Sequence, residues 1–494
     1  MIRGIFKDNE QAFRILLVAF VLMAVNKVTA GWGLFVLFPM SVYFAAQRKM
    51  GAVALCYTFL TFMANLNSSL TGGVNGMVYR ITFVAMTCLL VVQGSQRRGV
   101  HKIPLWMMYG YLIVAMVSSI GGYCPAVSYL KIANFVLFLL GLHFSTCNLH
   151  HHPSQIATIR SGFLAFSVLL IAGSVAVMPF PSIGYSMELA NYHRWGVDDR
   201  DAAVLLESVI HNGFALYSGV TNHSQALAPF VVCMGTWLLC DMLLIEGRFS
   251  PIHVCLLCLS PLLLFKTKSR VGLLGMLTAL MVINFYTLPS AAVDLRMKRR
   301  LRSGFSAALF LMVVMAVVLE LSHGTMSKWL RKRYDVENDR RSLQEAMTAS
   351  RQGAVEQNMY DFRQNVALGT GFQVSYDVGE RYRISGSIPF FAPIEKGILP
   401  LMILGETGIV GALVFLVFMV VFVGTCLRRR YVATLTLFCV MLSCNMGEAT
   451  FFAPTAIGGC FWLVSCTGGF AIDMYCLYFR NQWRFEQTFP LHAV

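Results

Sequence analysis

The sequence predicts an all-α polytopic membrane protein with 12–14 transmembrane helices and one large, partly helical outward loop, and three observations carry that expectation. Of the 494 residues, 57% are hydrophobic and only 13% are charged, about half of the ~25% charged found in typical soluble chains. The apolar residues recur in blocks of about 15–22, each near the length needed to cross a ~30 Å hydrocarbon core. The basic residues, finally, segregate to one side of those blocks. A soluble enzyme, a secreted disulfide scaffold and a disordered tail are excluded by the same composition. The formal charge of +15 reads first as topology, and no nucleic-acid partner is expected.

Candidate spans fall near 13–29, 32–46, 51–66, 78–95, 103–121, 126–147, 157–178, 226–245, 252–267, 270–288, 303–321, 409–427, 432–448 and 457–478. With a cytoplasmic N-terminus, alternation places twenty Lys and Arg inside, among them Arg48, Arg97, Arg160, the Arg296–Arg302 cluster and Arg428–Arg430. The short outward loops hold six: Lys27, Arg80, Lys131, Lys266, Lys268 and Arg270. That asymmetry orients the chain with both termini cytoplasmic. The first span lacks a small-residue cleavage site and reads as retained. Most of the fourteen Cys sit within spans as small hydrophobes. Cys255 and Cys258 form a CxxC without a second pair, so core packing is expected there and no metal.

Three regions follow: N-terminal transmembrane helices over 1–209 with an outward loop near 180–225, a central region over 210–430, and C-terminal helices with a cytoplasmic tail over 431–494. The long outward segment from Ser322 to about Thr407 is the roomiest place for a polar site. It carries eleven Lys and Arg against ten Asp and Glu, a near-balance that speaks for pairing or chemistry rather than a basic patch.

Within this frame, Thr267-Lys268-Ser269-Arg270 packs two cations and two hydroxyls into one short outward loop. Arg270 offers a fork suited to phosphate oxygens, with Lys268 and Ser269 beside it; the competing reading is two cations snorkelling to the interface. Val355, Met359, Phe362 and Val366 recur at helical spacing, with Arg351 one turn before them. Arg340 and Arg351 would share a face but stand roughly 16 Å apart, too far for one diphosphate. A pair clamping a diphosphate must come from different segments, and Arg270 with Arg351 is the natural choice. Gly369-Thr370-Gly371-Phe372 is weak as a phosphate loop and reads as a turn. Glu406, at the edge of a span, reads as a helix-packing hydrogen-bonder. Glu395, beside Lys396 where the loop meets the membrane, is the candidate general base or a simple surface pair. His211, His223 and His323 stay open as alternative bases. Asn222 and His223 precede a span, where they bind a sugar or headgroup or merely cap the helix.

Taken in order, Asn222-His223-Ser224-Gln225-Ala226-Leu227, the Thr-Lys-Ser-Arg loop with Gly272, Arg351 leading to Gly369-Thr-Gly-Phe, and Glu406-Thr-Gly-Ile-Val-Gly411 resemble the bacterial O-antigen ligase and O-antigen polymerase superfamily over roughly 210–430. The resemblance implies a metal-independent, cofactor-free, inverting glycosyltransferase of the membrane-embedded C class, in the bacterial inner membrane with its large loop periplasmic. The donor would be a glycan on undecaprenyl diphosphate, with Arg270 and Arg351 neutralising the leaving group. Lys268, Ser269, Asn222, His223, Arg340 and Lys396 would contact substrate. Ligases of the superfamily usually place His-Asn before the Glu-x-Gly-x-x-Gly helix; this chain has Glu395-Lys396, similar to exopolysaccharide polymerase-like members. The expected function is polymerisation of lipid-linked repeat units. The alternatives are a ligase using a lipid A-core acceptor, and a transporter or flippase binding an anionic headgroup without chemistry. A flippase and a chain-length regulator are the expected protein partners.

Overall fold

A computed structural model describes residues 9–95, 103–147, 153–186, 189, 198–211, 215–246, 250–284, 343–374, 397–447, 449–454 and 457–477. The described residues are almost entirely helical; their one β-pairing is an isolated antiparallel bridge between Leu66 and Thr221. Thirteen of the fourteen expected spans have a helix in place, and the span expected at 303–321 lies outside the described residues.

In chain order the apolar helices are α1 (Glu10–Val28), α2 (Leu37–Ala46), α3 (Met50–Met63), α4 (Gly76–Ser95), α5 (Trp106–Ile120), α6 (Pro125–Cys147) and α7 (Pro153–Ser167). The amphipathic α8 (Asp199–His211) follows, then the apolar α9 (Ser224–Asp241), α10 (Pro251–Thr267) and α11 (Arg270–Val282). The polar α12 (Leu343–Gln364) precedes α13 (Leu399–Arg429), α14 (Val432–Cys444) and α15 (Ile457–Leu463), which continues helically to Leu477. Seven of these, some with their extensions, are long and apolar enough to cross a membrane; six more are apolar but shorter. The chain is an all-helical membrane protein.

Burial separates the centre from the rim. In an 18-residue apolar stretch of each, 83% of the residues are buried in Ser224–Ile245 and in Ile457–Leu477, against 22% in Glu10–Val28 and in Leu399–Arg429. The rim helices nonetheless present Leu17, Phe20 and Val21 on α1 and Leu413, Leu416 and Val420 on α13 to the outside. Apolar stripes of that extent are tolerated where the surroundings are hydrocarbon. Two of the central helices, α9 and α15, and α7 beside them, each carry a widened π-turn, at Met242–Glu246, Val464–Gly469 and Val168–Ala172. Such turns insert one extra residue and re-aim the side chains beyond it. Trp237 and Trp462 are fully buried on the two central helices, and the Trp462 indole N–H donates to the Phe451 carbonyl at 2.9 Å.

The sequence misplaces one helix start. A span is expected over 409–427 with Glu406 at its edge, but α13 begins at Leu399, with Pro400 in its first turn, and runs for 31 residues. At 1.5 Å per residue this is about 46 Å, well beyond a hydrocarbon core. The excess is the first ten residues, set off by a break at Gly408 (φ 62°, ψ −163°). Glu406 therefore lies inside the helical element, fully buried.

Candidate functional site

At one end of the bundle, two glycine-containing segments separated by more than thirty residues lock together. The turn after α12 lays Thr370 and Gly371 along the break in α13: Thr370 N–H donates to the Gly405 carbonyl at 3.0 Å and Gly371 N–H to the Glu406 carbonyl at 3.1 Å. In return, Ile409 N–H donates to the Val366 carbonyl at 2.9 Å and Val410 N–H to the Ala367 carbonyl at 3.2 Å. The fit leaves no room for side chains. A Cβ on Gly369 (φ +71°) would stand 2.4 Å from the Glu406 carbonyl carbon, and one on Gly408 would stand 2.3 Å from the Ala367 oxygen. Glycine is needed at both, for the left-handed backbone and for the approach. Unwinding α13 at Gly408 frees backbone groups, and the turn pairs with them, as buried backbone requires. The turn reading of Gly369–Phe372 agrees with this geometry, whereas at residue 406 these bonds run to the main-chain carbonyl.

Helices α5 and α6 complete the joint. The Ser118 hydroxyl donates to the Glu406 carbonyl, Phe372 N–H donates to Ser119 Oγ at 3.2 Å, and Tyr123 N–H donates to the Thr370 carbonyl at 3.2 Å. The Phe372 ring enters an aromatic cluster with Tyr111 and Phe452 at centroid distances of 6.5 and 5.4 Å. Three polar contacts flank the joint. The Tyr123 hydroxyl donates to Asp361 Oδ1 at 3.0 Å, and Gln357 Nε2 donates to the same oxygen at 2.8 Å. The Lys131 ammonium, on a residue 4% exposed, donates to the Gln373 carbonyl at 3.1 Å. Sequence reasoning missed Ser118, Ser119, Tyr123 and Asp361, and used Lys131 only as a topology marker. The available signal was Asp361 one turn after Gln357 on a helix whose apolar stripe had been recognised.

Close contacts at two glycines and one main-chain hydrogen bond tie the Arg270 loop to the helix that carries Arg351. Residue 271, Val271, stands where a methyl on Gly447 would sit, 2.3 Å from its Cγ2. The Asn445 carbonyl accepts from Leu399 N–H at 3.1 Å, at the start of α13. Two residues earlier, Gly397 meets Ala354 of α12, whose Cβ would be 2.9 Å from an added Cβ. Ala354 is three residues after Arg351. The two arginines thus belong to segments joined at one end of the bundle, while the Arg351 side chain lies outside the described residues. So do Glu395, Lys396, Arg340, His323 and the His211 side chain; Glu395 and Lys396 immediately precede Gly397.

The remaining sequence candidates have local structural duties. Lys268 ends α10 in a left-handed conformation (φ 50°), 9% exposed. Ser269 caps α11, its Oγ accepting from Gly272 N–H at 3.2 Å, and Arg270 is the first residue of that helix. His223 caps α9 through Nδ1, accepting from Gln225 N–H at 2.9 Å. Exposed Asn222 donates its N–H to the Asn65 carbonyl at 3.0 Å. Close packing of Gly272 on Ala228, 3.0 Å from a would-be Cβ, brings the starts of α9 and α11 together. Nearby, Tyr185 and Tyr217 meet edge to face at 5.2 Å, and burial pushes both phenols above their ordinary range; neither offers a base near neutrality. Compared with family models and with characterised proteins, the chain matches none.

Proposed function

We propose that this protein is a membrane glycosyltransferase that joins glycan repeat units carried on a lipid diphosphate, acting at the end of the bundle where the Gly369 turn meets Glu406. The observation that carries the reading is the convergence just described: the Arg270 loop, the Arg351 helix and the approach to α13 after Glu395 meet through successive close contacts at two glycines and one main-chain hydrogen bond. The starts of α9, α11 and α13 lie at this same end, so three helix dipoles add partial positive charge where an anion would be held. On the positive-inside reading of the sequence this end faces the periplasm.

In this reading Arg270 and Arg351 bind the diphosphate from two directions, and their charge stabilises it as the glycosyl C–O bond breaks. An acceptor hydroxyl attacks the anomeric carbon from the opposite side. Its proton passes to Glu395, and the configuration inverts. Lys268 and Arg340 add charge at the periphery, and Lys396 accompanies the base. Neutralisation by arginine leaves no step that calls for Mg²⁺. The chemistry suits a polymerase adding repeat units; a ligase would use the same donor half with a lipid A-core acceptor.

The test is direct. Purified protein is incubated with undecaprenyl-diphosphate repeat units in the absence of metal, and product length is followed. Chain growth that falls at least about 10²-fold in Arg270→Ala and in Arg351→Ala, and by a similar factor in Glu395→Gln, supports the assignment. Undiminished growth in both arginine variants removes it. Binding of the donor with no glycan product in any condition points instead to a carrier of the same substrate class.

A further inference from the structure

A slot at the other end of the molecule, on its rim, has the shape and chemistry of a phospholipid site. It lies between α1, α2, α3 and α7 as a partly open groove of about 220 Å³, lined along α1 from Gln11 and Arg14, its polar mouth, to Leu22. Eleven residues along α1 correspond to about 16 Å, so the space is long and narrow. A compact solute would leave much of its wall without contact partners, whereas an extended hydrocarbon chain fills it. Its interior is apolar, with Ala19, Leu37, Phe59 and Phe166 among its walls. Polar groups gather at one end. The Gln11 amide donates to Thr158 Oγ1 at 3.1 Å, and the Ser161 hydroxyl donates to Gln11 Oε1 at 3.3 Å.

Arg14 stands at this mouth, paired with Glu10 one turn earlier on α1; their side chains are 77% and 60% exposed. Along the same helix Leu17, Val18 and Val21 are exposed apolar residues, which places the slot on a surface that meets hydrocarbon. An apolar slot with polar groups only at its mouth selects an amphiphile, with its chain inside and its head at the interface.

We propose that this slot holds one acyl chain of a glycerophospholipid whose headgroup carries both a phosphate and a primary amine, the class of phosphatidylethanolamine. The guanidinium of Arg14 receives the phosphate and the carboxylate of Glu10 receives the ammonium. The neutral pair matches a zwitterion charge for charge, where a lipid with a purely anionic head would meet Glu10 with no counter-charge of its own. The site is independent of the glycosyltransferase reading and would stand if that reading failed.

Native mass spectrometry on the delipidated full-length protein, re-supplied with phosphatidylethanolamine or with phosphatidylglycerol of identical chains, tests it. The expected result is one retained phosphatidylethanolamine at collision energies that strip bulk lipid, with at least fivefold less phosphatidylglycerol retained. Val18→Trp, at a partly exposed wall position, fills the slot and abolishes the adduct. Arg14→Gln weakens it at least fivefold. Leu416→Trp, on the exposed face of α13 far along the chain, leaves it unchanged. Equal retention of the two lipids overturns the headgroup assignment. An adduct that survives Val18→Trp, in protein shown by its elution profile to be folded, overturns the slot.

Discussion

The two ends of the bundle are held by different physics. At the Gly369 end, the joint is a fit of backbone against backbone, made possible by glycines and closed by hydrogen bonds between main-chain groups. At the opposite end, the joint is made of charge. Arg160 of α7 grips Asp241 of α9 through two parallel bonds, Nε to Oδ1 at 2.7 Å and an Nη to Oδ2 at 2.9 Å. His253 of α10 meets the same carboxylate at 3.2 Å, and the Tyr475 ring covers the guanidinium at 4.8 Å. Asp473 receives the N–H groups of Ala433 and Thr434, each at 2.9 Å, and so caps α14 from a neighbouring helix. A bidentate pair deep in a bundle fixes which helices touch and in what register, and it presents little to a ligand. Backbone fitted by glycine leaves the surrounding side chains available for chemistry. The charged end is a fastening; the glycine end is a platform.

Four comparisons can break or sharpen this contrast. The largest effect is expected from Asp241→Leu, which leaves the partly buried Arg160 without its carboxylate and should cost about 3 kcal/mol, read as thermal unfolding in detergent. Combining it with Arg160→Met should recover most of the loss, since an apolar pair replaces a closed ion pair at little cost. If the double variant is no more stable than the single one, the fastening role is wrong. Gly369→Ala comes next: a left-handed residue forced against Glu406 should destabilise by about 2–4 kcal/mol, while Gly424→Ala on the same helix as Glu406, with nothing within 4 Å of the added carbon, should not lower the melting temperature. Equal melting of the two variants would contradict the dovetail. His223→Ala removes the cap of α9 and should cost about 1 kcal/mol, detectable as faster exchange of the Gln225 amide. Ser118→Ala should cost less than about 1 kcal/mol, because the Glu406 carbonyl still accepts from Gly371; a larger loss would show that the serine, and not the turn, anchors the break in α13.

Each end also differs in how far the sequence revealed it. The Thr-Lys-Ser-Arg loop, the Gly-Thr-Gly-Phe turn and the Glu-Thr-Gly segment are visible as local patterns, and the places of the first two at helix ends follow from apolar block lengths and glycine. Arg160, in contrast, was read only as a topology signal, and neither Asp241 nor His253 stood out. Nothing local tells that a charge inside an apolar block faces a partner on another helix 81 residues away.

What the sequence determined by itself is the class of molecule and the course of its spans. Hydrocarbon admits no unpaired backbone, so long apolar blocks have little choice but to be helices, and their ends follow from where polarity begins. The helix carrying Arg351 was legible for the same kind of reason, as a 3.6-residue period. The tertiary structure decided the rest. It carried α13 back ten residues to Leu399, because the apolar stretch before Glu406 packs on α12 and its break at Gly408 is satisfied by the Gly369 turn. It placed the Arg270 loop on the same end as α12, through contacts among Val271, Gly447, Asn445, Leu399, Gly397 and Ala354. Those contacts depend on close approach between segments far apart in the chain. A glycine in a sequence states that a close approach is permitted; only the folded chain shows what approaches.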